Sequence, residues 1–417
     1  MKKKKKPIQV DIKALRKLLG ALSISKKINP HTTAAATLAL IFVIGIFASS
    51  PQLQNYFKSQ PSEAGNALLP GGGSLGGGLV NGTGNLFGPY PWKPQGTLSL
   101  VSDYNTFMPA IDGDRIVYSK MIVYGNDDVY LYDSITGITT PICTDIFDQV
   151  RPRISNDYIV WIDSRKSGPI YSARDVYLYD INSAVEKNIT NYYATSVYRV
   201  AISDNYVVFD VNYFGEVWGD IPNELKLYDI NTDTTQTLFS FPGDEWVSRI
   251  EIDNDKIVVS FHGHSNIKLY DLATNQLTNV YPSIYDQGNA DISGNTVVWS
   301  EKMDGHTYIY AYNLHIGNKE TVYTFKKENN VISPSIDGDL VAWCLPYSAP
   351  GEGGVWIKKI FVLPFIINTI HLLDDQPDEF EMPNTVDISK SKIVWTTEYI
   401  FEPNYEKHKN FMFILNN

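Results

Sequence analysis

The hexapeptide Asp-Val-Tyr-Leu-Tyr-Asp stands at 128–133 and again at 175–180. It is the clearest part of a longer unit, in which a turn and an aliphatic run precede a tyrosine-rich run. The aliphatic residue opening each second run is Ile116, Ile159, Val207, Ile257, Val297, Val341 or Ile393, and successive units stand 40 to 52 residues apart. A period in the forties, made of short alternating runs separated by turn residues, predicts the blades of a β-propeller. One such unit cannot bury both of its faces alone, so copies stack in a ring.

Each unit reads as four strands. The first is short and ends at Asp, Gly, Asn or Ser, as in "AID" and "RIS"; the second is "RIVYS" or "YIVWI"; the third is "DVYLYD"; the fourth is "TTPICT" or "EKNIT". In the third strand Val129 and Leu131 point one way and Tyr130 and Tyr132 the other. Both faces are therefore at least half-apolar, as stacking on two sides requires. Asp112-Gly113-Asp114 and Asp337-Gly338-Asp339 read as tight hairpin turns, with calcium ligation as the rival use of the same residues. The seventh unit ends with "NFMFILNN" as its third strand and lacks a fourth. The stray strand "GTLSLVSD", 96–103, fills that place and closes the ring. The expected fold is all-β, a seven-bladed propeller over 96–417. The sixth unit is irregular: its run from Val355 to Leu373 is long and contains Pro364.

Ahead of the propeller the chain changes character. Residues 1–31 are basic, residues 32–50 apolar, and residues 51–95 rich in glycine. The apolar stretch, with its flanks, is long enough for one transmembrane helix. The excess of lysine before it places the N-terminus in the cytoplasm and the propeller outside. An uncleaved signal anchor is expected rather than a cleaved secretory signal. The glycine-rich segment reads as a flexible tether with a reach of roughly 35–40 Å. Asn81 and Asn188 open glycosylation sequons on the outer side. The formal net charge is −11 although residues 1–50 are strongly basic, so the propeller is acidic and nucleic acid is excluded as its partner. Cys143 and Cys344 fall far apart in the repeat order and read as buried free thiols.

The units "ISNDYIVWIDSR" and "DVYLYDINSAVEKNIT" resemble the propeller repeats of TolB-like proteins and of prokaryotic cell-surface proteins. The resemblance implies a binding or scaffolding platform at a cell envelope. The first turn departs from the TolB pattern Ser-Pro-Asp-Gly. Its nearest match is Ser335-Ile336-Asp337-Gly338, and a TolB-type partner is not implied.

The strand 2–3 loops and the blade linkers share one face, and the long insertions fall in the loops of that face. They bring Tyr213, Phe214, Trp218, Tyr347, Tyr399, Phe401 and Tyr405 there, a composition suited to binding a protein or a carbohydrate. Arg151, Arg153, Arg199 and Arg249 precede successive first strands. They either grip a carboxylate or phosphate or pair with acids of neighbouring blades. His262, His264 and His306 lie in matching loops of adjacent units with Asp304 nearby, a candidate N/O metal site against the plainer reading of solvated loop histidines. No nucleophile elbow or phosphate loop occurs. The expected function is a membrane-anchored extracytoplasmic binding module with no cofactor. The alternative is a metal-dependent envelope lyase or hydrolase acting on polysaccharide.

Overall fold

The computed structural model describes residues 96–102, 105–123, 126–166, 173–191, 195–213, 221–263, 266–325, 333–345, 354–360, 369–371, 381–401 and 405–415. The basic segment, the apolar stretch 32–50 and the glycine-rich tether lie outside them. Among the described residues no helix is long and apolar enough to cross a membrane.

The second strands explain why the chain closes on itself. Ile116, Ile159, Val207, Ile257, Val297, Val341 and Ile393 are all fully buried, as are Trp161, Trp299, Trp343 and Trp395 two residues beyond their own anchors. Side chains alternate across each blade. Val117 packs towards Ile159 and Trp161 of the second blade. Ile116 and Tyr118 pack the other way, against Val101, Val394 and Met412 of the seventh. Seven such clusters occur among the described residues, one between each pair of neighbouring blades. Full burial of an aliphatic side chain contributes roughly 1.5–3 kcal/mol. The core is thus a ring of seven interfaces.

The blades are antiparallel sheets whose first strands are Thr106–Asp112, Gln149–Ser155, Val200–Ser203, Val247–Asp253, Asp286–Ser293, Ser335–Asp337 and Glu381–Ser389. The third blade carries an additional two-residue strand, Thr195–Ser196, on its second strand. Each first strand touches the first strand of the next blade, and the seventh touches the first. The seventh blade takes its fourth strand from Gly96–Ser102, which pairs antiparallel with Tyr405–Leu415 from Gly96 opposite Leu415 to Ser102 opposite Asn410. The predicted closure is observed. In the sixth blade the third strand is Gly354–Lys359 and the fourth is Thr369–His371; residues 361–368 lie outside the described residues.

Three first strands begin earlier than the sequence suggests. A bulge interrupts the pairing of Thr106–Asp112, Gln149–Ser155 and Asp286–Ser293 with their second strands. In these three strands Met108, Arg151 and Asn289 have φ of 53°, 56° and 55°. The run before the bulge lacks simple alternation, so its strand character was hidden.

The turns after the first strands hold the ring together. Gly113 N donates to Ser389 Oγ (3.0 Å), Asn156 N to Asp112 Oδ2 (2.6 Å) and Asp204 N to Ser155 Oγ (2.9 Å). Asn254 N donates to Ser203 Oγ (3.2 Å), Gly294 N to Asp253 Oδ2 (2.5 Å), Gly338 N to Ser293 Oγ (3.0 Å) and Lys390 N to Asp337 Oδ2. Every blade is thereby bonded to the one before it, and the circle closes. Each donor has a left-handed φ between 50° and 60°, which explains the Gly, Asn and Asp at this place. In Asp112-Gly113-Asp114 and Asp337-Gly338-Asp339 the first aspartate is a blade-to-blade acceptor.

The last letter of the hexapeptide also has a job. Asp133 Oδ1 accepts the N–H groups of Ile135 and Thr136, and Asp180 Oδ1 those of Asn182 and Ser183. Asp229, Asp271 and Asn313 cap the corresponding hairpins of the next three blades. An aspartate or asparagine that satisfies its own turn is the reason the strand ends there.

Candidate functional site

The antiparallel order places the hairpins between strands 1 and 2 and between strands 3 and 4 at one end of every blade. The strand 2–3 connections and the blade linkers occupy the other end. Of the predicted aromatics on this face, Phe214, Trp218 and Tyr347 lie outside the described residues, as do the side chains of Tyr399, Phe401 and Tyr405. Tyr213 ends the second strand of the third blade, and its hydroxyl donates to Glu224 Oε2.

A cleft of about 630 Å³ opens on the same face between the first two blades, lined by Thr144, Asp145, Ile146, Phe147, Arg165, Lys166 and Tyr177. Ile146 and Phe147, in the linker, are exposed. The floor is rigid. Arg165 stacks its guanidinium 4.1 Å from the centre of the Tyr177 ring. It pairs with Asp163 at 2.7 Å and with Glu186 at 2.7 Å. Asp163 also accepts the indole N–H of Trp161 at 2.9 Å. Cys143 Sγ lies 2.9 Å from Arg165 Nη2, and burial pushes its thiol up to about 12. Both cysteines are free and buried. The sequence reading passed over this cleft, although Trp161-Ile162-Asp163 and Trp299-Ser300-Glu301 share a signal: an acid two residues after a buried tryptophan, on the same face of the strand.

The four arginines meet different fates. Arg249 donates Nε to Glu251 Oε1 (2.8 Å) and Nη1 to the Pro334 carbonyl (2.8 Å), and its Nη2 lies 3.2 Å from Asp291 Oδ2. Burial opposes its charge, but Glu251 and Asp291 outweigh burial and hold it above its ordinary range. It is an inter-blade ion pair, one of the two uses expected. Arg153 lies 3.9 Å from Glu251 and donates to the Pro152 carbonyl. Arg199 donates Nε to the Ser248 carbonyl (2.6 Å) and Nη1 to that of Tyr198 (2.9 Å). The Arg151 side chain has no hydrogen-bond or ion-pair partner among the described residues. Arg174, which the sequence reading did not single out, stands with them, its guanidinium 5.6 Å from the Tyr198 ring. Burial pushes Arg151 down to about 9, and Arg199, Arg153 and Arg174 push in the same direction.

Opposite this basic side the first strands of blades four, five and seven carry Glu251, Asp291 and Asp387. Asp291 Oδ2 accepts Ile336 N at 3.0 Å, and Asp387 Oδ2 accepts Ile111 N at 3.0 Å, so the acids also join blades. Burial raises Asp291 to about 7, aided by Glu251 and Asp387 and opposed by Arg249. Burial raises Asp387 as well. Asp127, in the first blade, rises to about 6 through burial, Asp148 and Asp128.

These shifts set a pH dependence. A carboxyl whose folded pKa exceeds its unfolded value binds protons more tightly when folded, so stability falls as pH rises between about 4 and 7. The chain is expected to melt a few degrees higher at about pH 5 than at about pH 8, at constant ionic strength. Asp291→Asn should flatten that slope. Thermal melts across the range check it, and a slope of opposite sign refutes it.

The histidines do not assemble on what is described. His262 follows the second strand of blade four; burial and then Arg199 lower its pKa. His306 opens the third strand of blade five, with Nδ1 2.9 Å from the carbonyl of Asp304. His264 lies outside the described residues. Among those described, no three His, Cys, Asp or Glu side chains come together as a metal site. Of the two sequons, Asn81 also lies outside. The Asn188 amide donates to Asp175 Oδ2 at 2.9 Å, and the buried Thr190 hydroxyl donates to Asp175 Oδ1 at 2.7 Å.

No protein-family model matches the sequence, and no curated protein matches it. Solved structures are similar in fold. An oligogalacturonate lyase in complex with manganese matches with TM-score 0.55 and 11% identity, over 78% of this chain and 95% of that one. The β-propeller domain of the Trilobed protease from Pyrococcus furiosus matches with TM-score 0.52 and 12% identity, over 74% and 98%. TolB from Acinetobacter baumannii matches with TM-score 0.43 and 14% identity, over 60% and 62%. At such identities the likeness is one of fold alone, that of a β-propeller.

Proposed function

We propose that the chain is a membrane-anchored extracytoplasmic propeller that binds a protein or a glycan through its loop face. The observation carrying this reading is the cleft between the first two blades. Its volume of about 630 Å³ lies within the range of ligand sites, and it combines exposed Ile146 and Phe147 with Arg165, Lys166 and Tyr177. An apolar wall beside cationic and aromatic groups suits a sugar face or a peptide side chain. The anchor rests on the uncharged stretch 32–50 and its basic flank.

The test uses the full chain purified in detergent and immobilised envelope polysaccharides and peptides as probes. Retention on at least one class of probe is expected, and Phe147→Ala should weaken it about tenfold, the effect of losing an aromatic anchor. Retention equal for wild type and Phe147→Ala would overturn the cleft as the site. Protease added to intact cells should remove the propeller; full protection would overturn the orientation. Stoichiometric metal in the purified chain, lost in His264→Ala, together with polysaccharide cleavage, would replace the binding reading with that of an envelope lyase or hydrolase.

A further inference from the structure

We infer that Arg151, Arg153, Arg174 and Arg199 form an oxyanion site at the inner edge of blades two and three, which takes a carboxylate or phosphate group of the ligand. The inference rests on the propeller being a binding module and narrows its ligand.

Arg151 and Arg153 lie on Gln149–Ser155, an innermost strand, and Arg199 immediately precedes Val200–Ser203, the next one. Arg151 occupies the bulge and has φ of 56°. The equivalent bulges of blades one and five present Met108 and Asn289. Asparagine tolerates a left-handed backbone, whereas a long side chain there is uncommon and strained. Bulges re-aim side chains, and in blade two the side chain so aimed is a cation.

The carboxylate that faces the group from the second strand of blade three is Asp210. It is fully buried and already accepts Tyr198 N (2.9 Å), Arg199 N (2.7 Å) and the Asn212 amide (2.7 Å). Glu251 reaches Arg153 at 3.9 Å but is shared with Arg249 at 2.8 Å. The four guanidinium groups therefore face Asp210, which is committed, Glu251, which is shared with Arg249, and Asp387, which acts on Arg153 and already accepts Ile111 N. A guanidinium stays charged at physiological pH, so burial of Arg151, and then the like charges of Arg199, Arg153 and Arg174 beside it, act against the fold. An oxyanion would relieve the repulsion, and the planar fork of arginine matches carboxylate and phosphate geometry. Arg249 shows what a structurally neutralised arginine looks like in this ring; Arg151 lacks that arrangement.

The experiment measures the melting temperature of the full chain in detergent with inorganic phosphate, with citrate, and with sodium chloride at matched ionic strength. At least one oxyanion should raise Tm with a saturating dose dependence while chloride does not. Phosphate alone assigns a phosphate ester, and citrate alone a carboxylate. Arg151→Met should remove the rise and, by relieving repulsion, increase Tm in anion-free buffer. A structural role for Arg151 would lower it. Should that variant fail to fold, Arg199→Lys read by calorimetry should bind about tenfold more weakly, because the fork is lost. The inference is overturned if neither oxyanion exceeds chloride, if Arg151→Met keeps the rise, or if its anion-free Tm falls. Oxyanion binding together with retention that Phe147→Ala leaves unchanged overturns only the cleft. Retention weakened by Phe147→Ala, with neither oxyanion exceeding chloride, overturns only the arginine site.

Discussion

Val101→Asp is expected to unfasten the ring, with a loss of about 4 kcal/mol of stability, at the top of the range for single substitutions. Val101 is the buried residue of the closing strand, packed with Met412 and Val394 of its own blade and with Ile111, Ile116 and Tyr118 of the first. A carboxylate there must either ionise inside that cluster or pull the strand out, and burying an unpaired charge is the more costly path. Gly96–Ser102 pairs with the rest of the protein along one edge only, because it is the outermost strand of the sheet. The strand should therefore detach and expose the edge of Tyr405–Leu415 before the other blades unfold. Limited proteolysis should cut near residues 96–102 in the variant at a protease level that spares wild type, and Tm should fall by on the order of 10 °C. The same change at Leu100, which is half-exposed on that strand, should alter Tm little. Equal effects at the two positions would show that the strand is not the fastening element.

That closing strand was legible because it follows from counting. Seven second strands were visible as aliphatic runs, and one third strand at the C-terminus had no partner. Burial of every anchor from Ile116 to Ile393 shows why the period could be read: each anchor repeats the same environment. The capping aspartates were legible for a local reason, since Asp133 bonds to residues two and three positions on. What escaped the sequence is non-local. The acceptors Asp112, Ser155 and Ser203 bond to residues 44, 49 and 51 positions away, and Ser389 closes the circle to Gly113 over 276. Nothing in a short window distinguishes such an acceptor from an ordinary turn residue. The arginines were found, but their fates were not separable. Arg249 and Arg151 occupy the same place in their units. Glu251 and the neighbouring Asp291 neutralise one, while Arg153 and Ala201 stand at the matching places beside the other. Arg174 was missed because it ends an insertion that breaks the repeat.

The floor of the cleft should be equally sensitive. Asp163→Ala is expected to cost roughly 3–5 kcal/mol, the range for removing one partner of a buried ion pair. Asp163 is almost fully buried and accepts four bonds, from Trp161 Nε1, Arg165 N, Arg165 Nε and Arg165 Nη2, at 2.7 to 2.9 Å. Alanine would strand the indole N–H of a fully buried tryptophan and take three of the bonds that fix Arg165, leaving its guanidinium to Glu186 and the Tyr177 ring. Asp163→Asn keeps an acceptor but loses the charge, so it should fall between alanine and wild type. Blade five supplies the comparison. Glu301 accepts Trp299 Nε1 (3.0 Å), Gln287 Nε2 (3.0 Å) and Ser283 Oγ (2.8 Å), with Lys319 Nζ at 3.8 Å. Lys319 rests 3.6 Å from the centre of Tyr310 and 4.2 Å from that of Tyr281, so the rings hold it without the carboxylate. Glu301→Ala should therefore cost less than Asp163→Ala. Chemical denaturation of the full chain measures the difference. The Asp163→Ala variant should also lose retention on the probe that wild type binds, because Arg165 and Tyr177 line the cleft. A loss below about 1 kcal/mol at Asp163 would mean that water replaces the carboxylate at no great cost, and the floor would then not be the rigid element that positions Arg165.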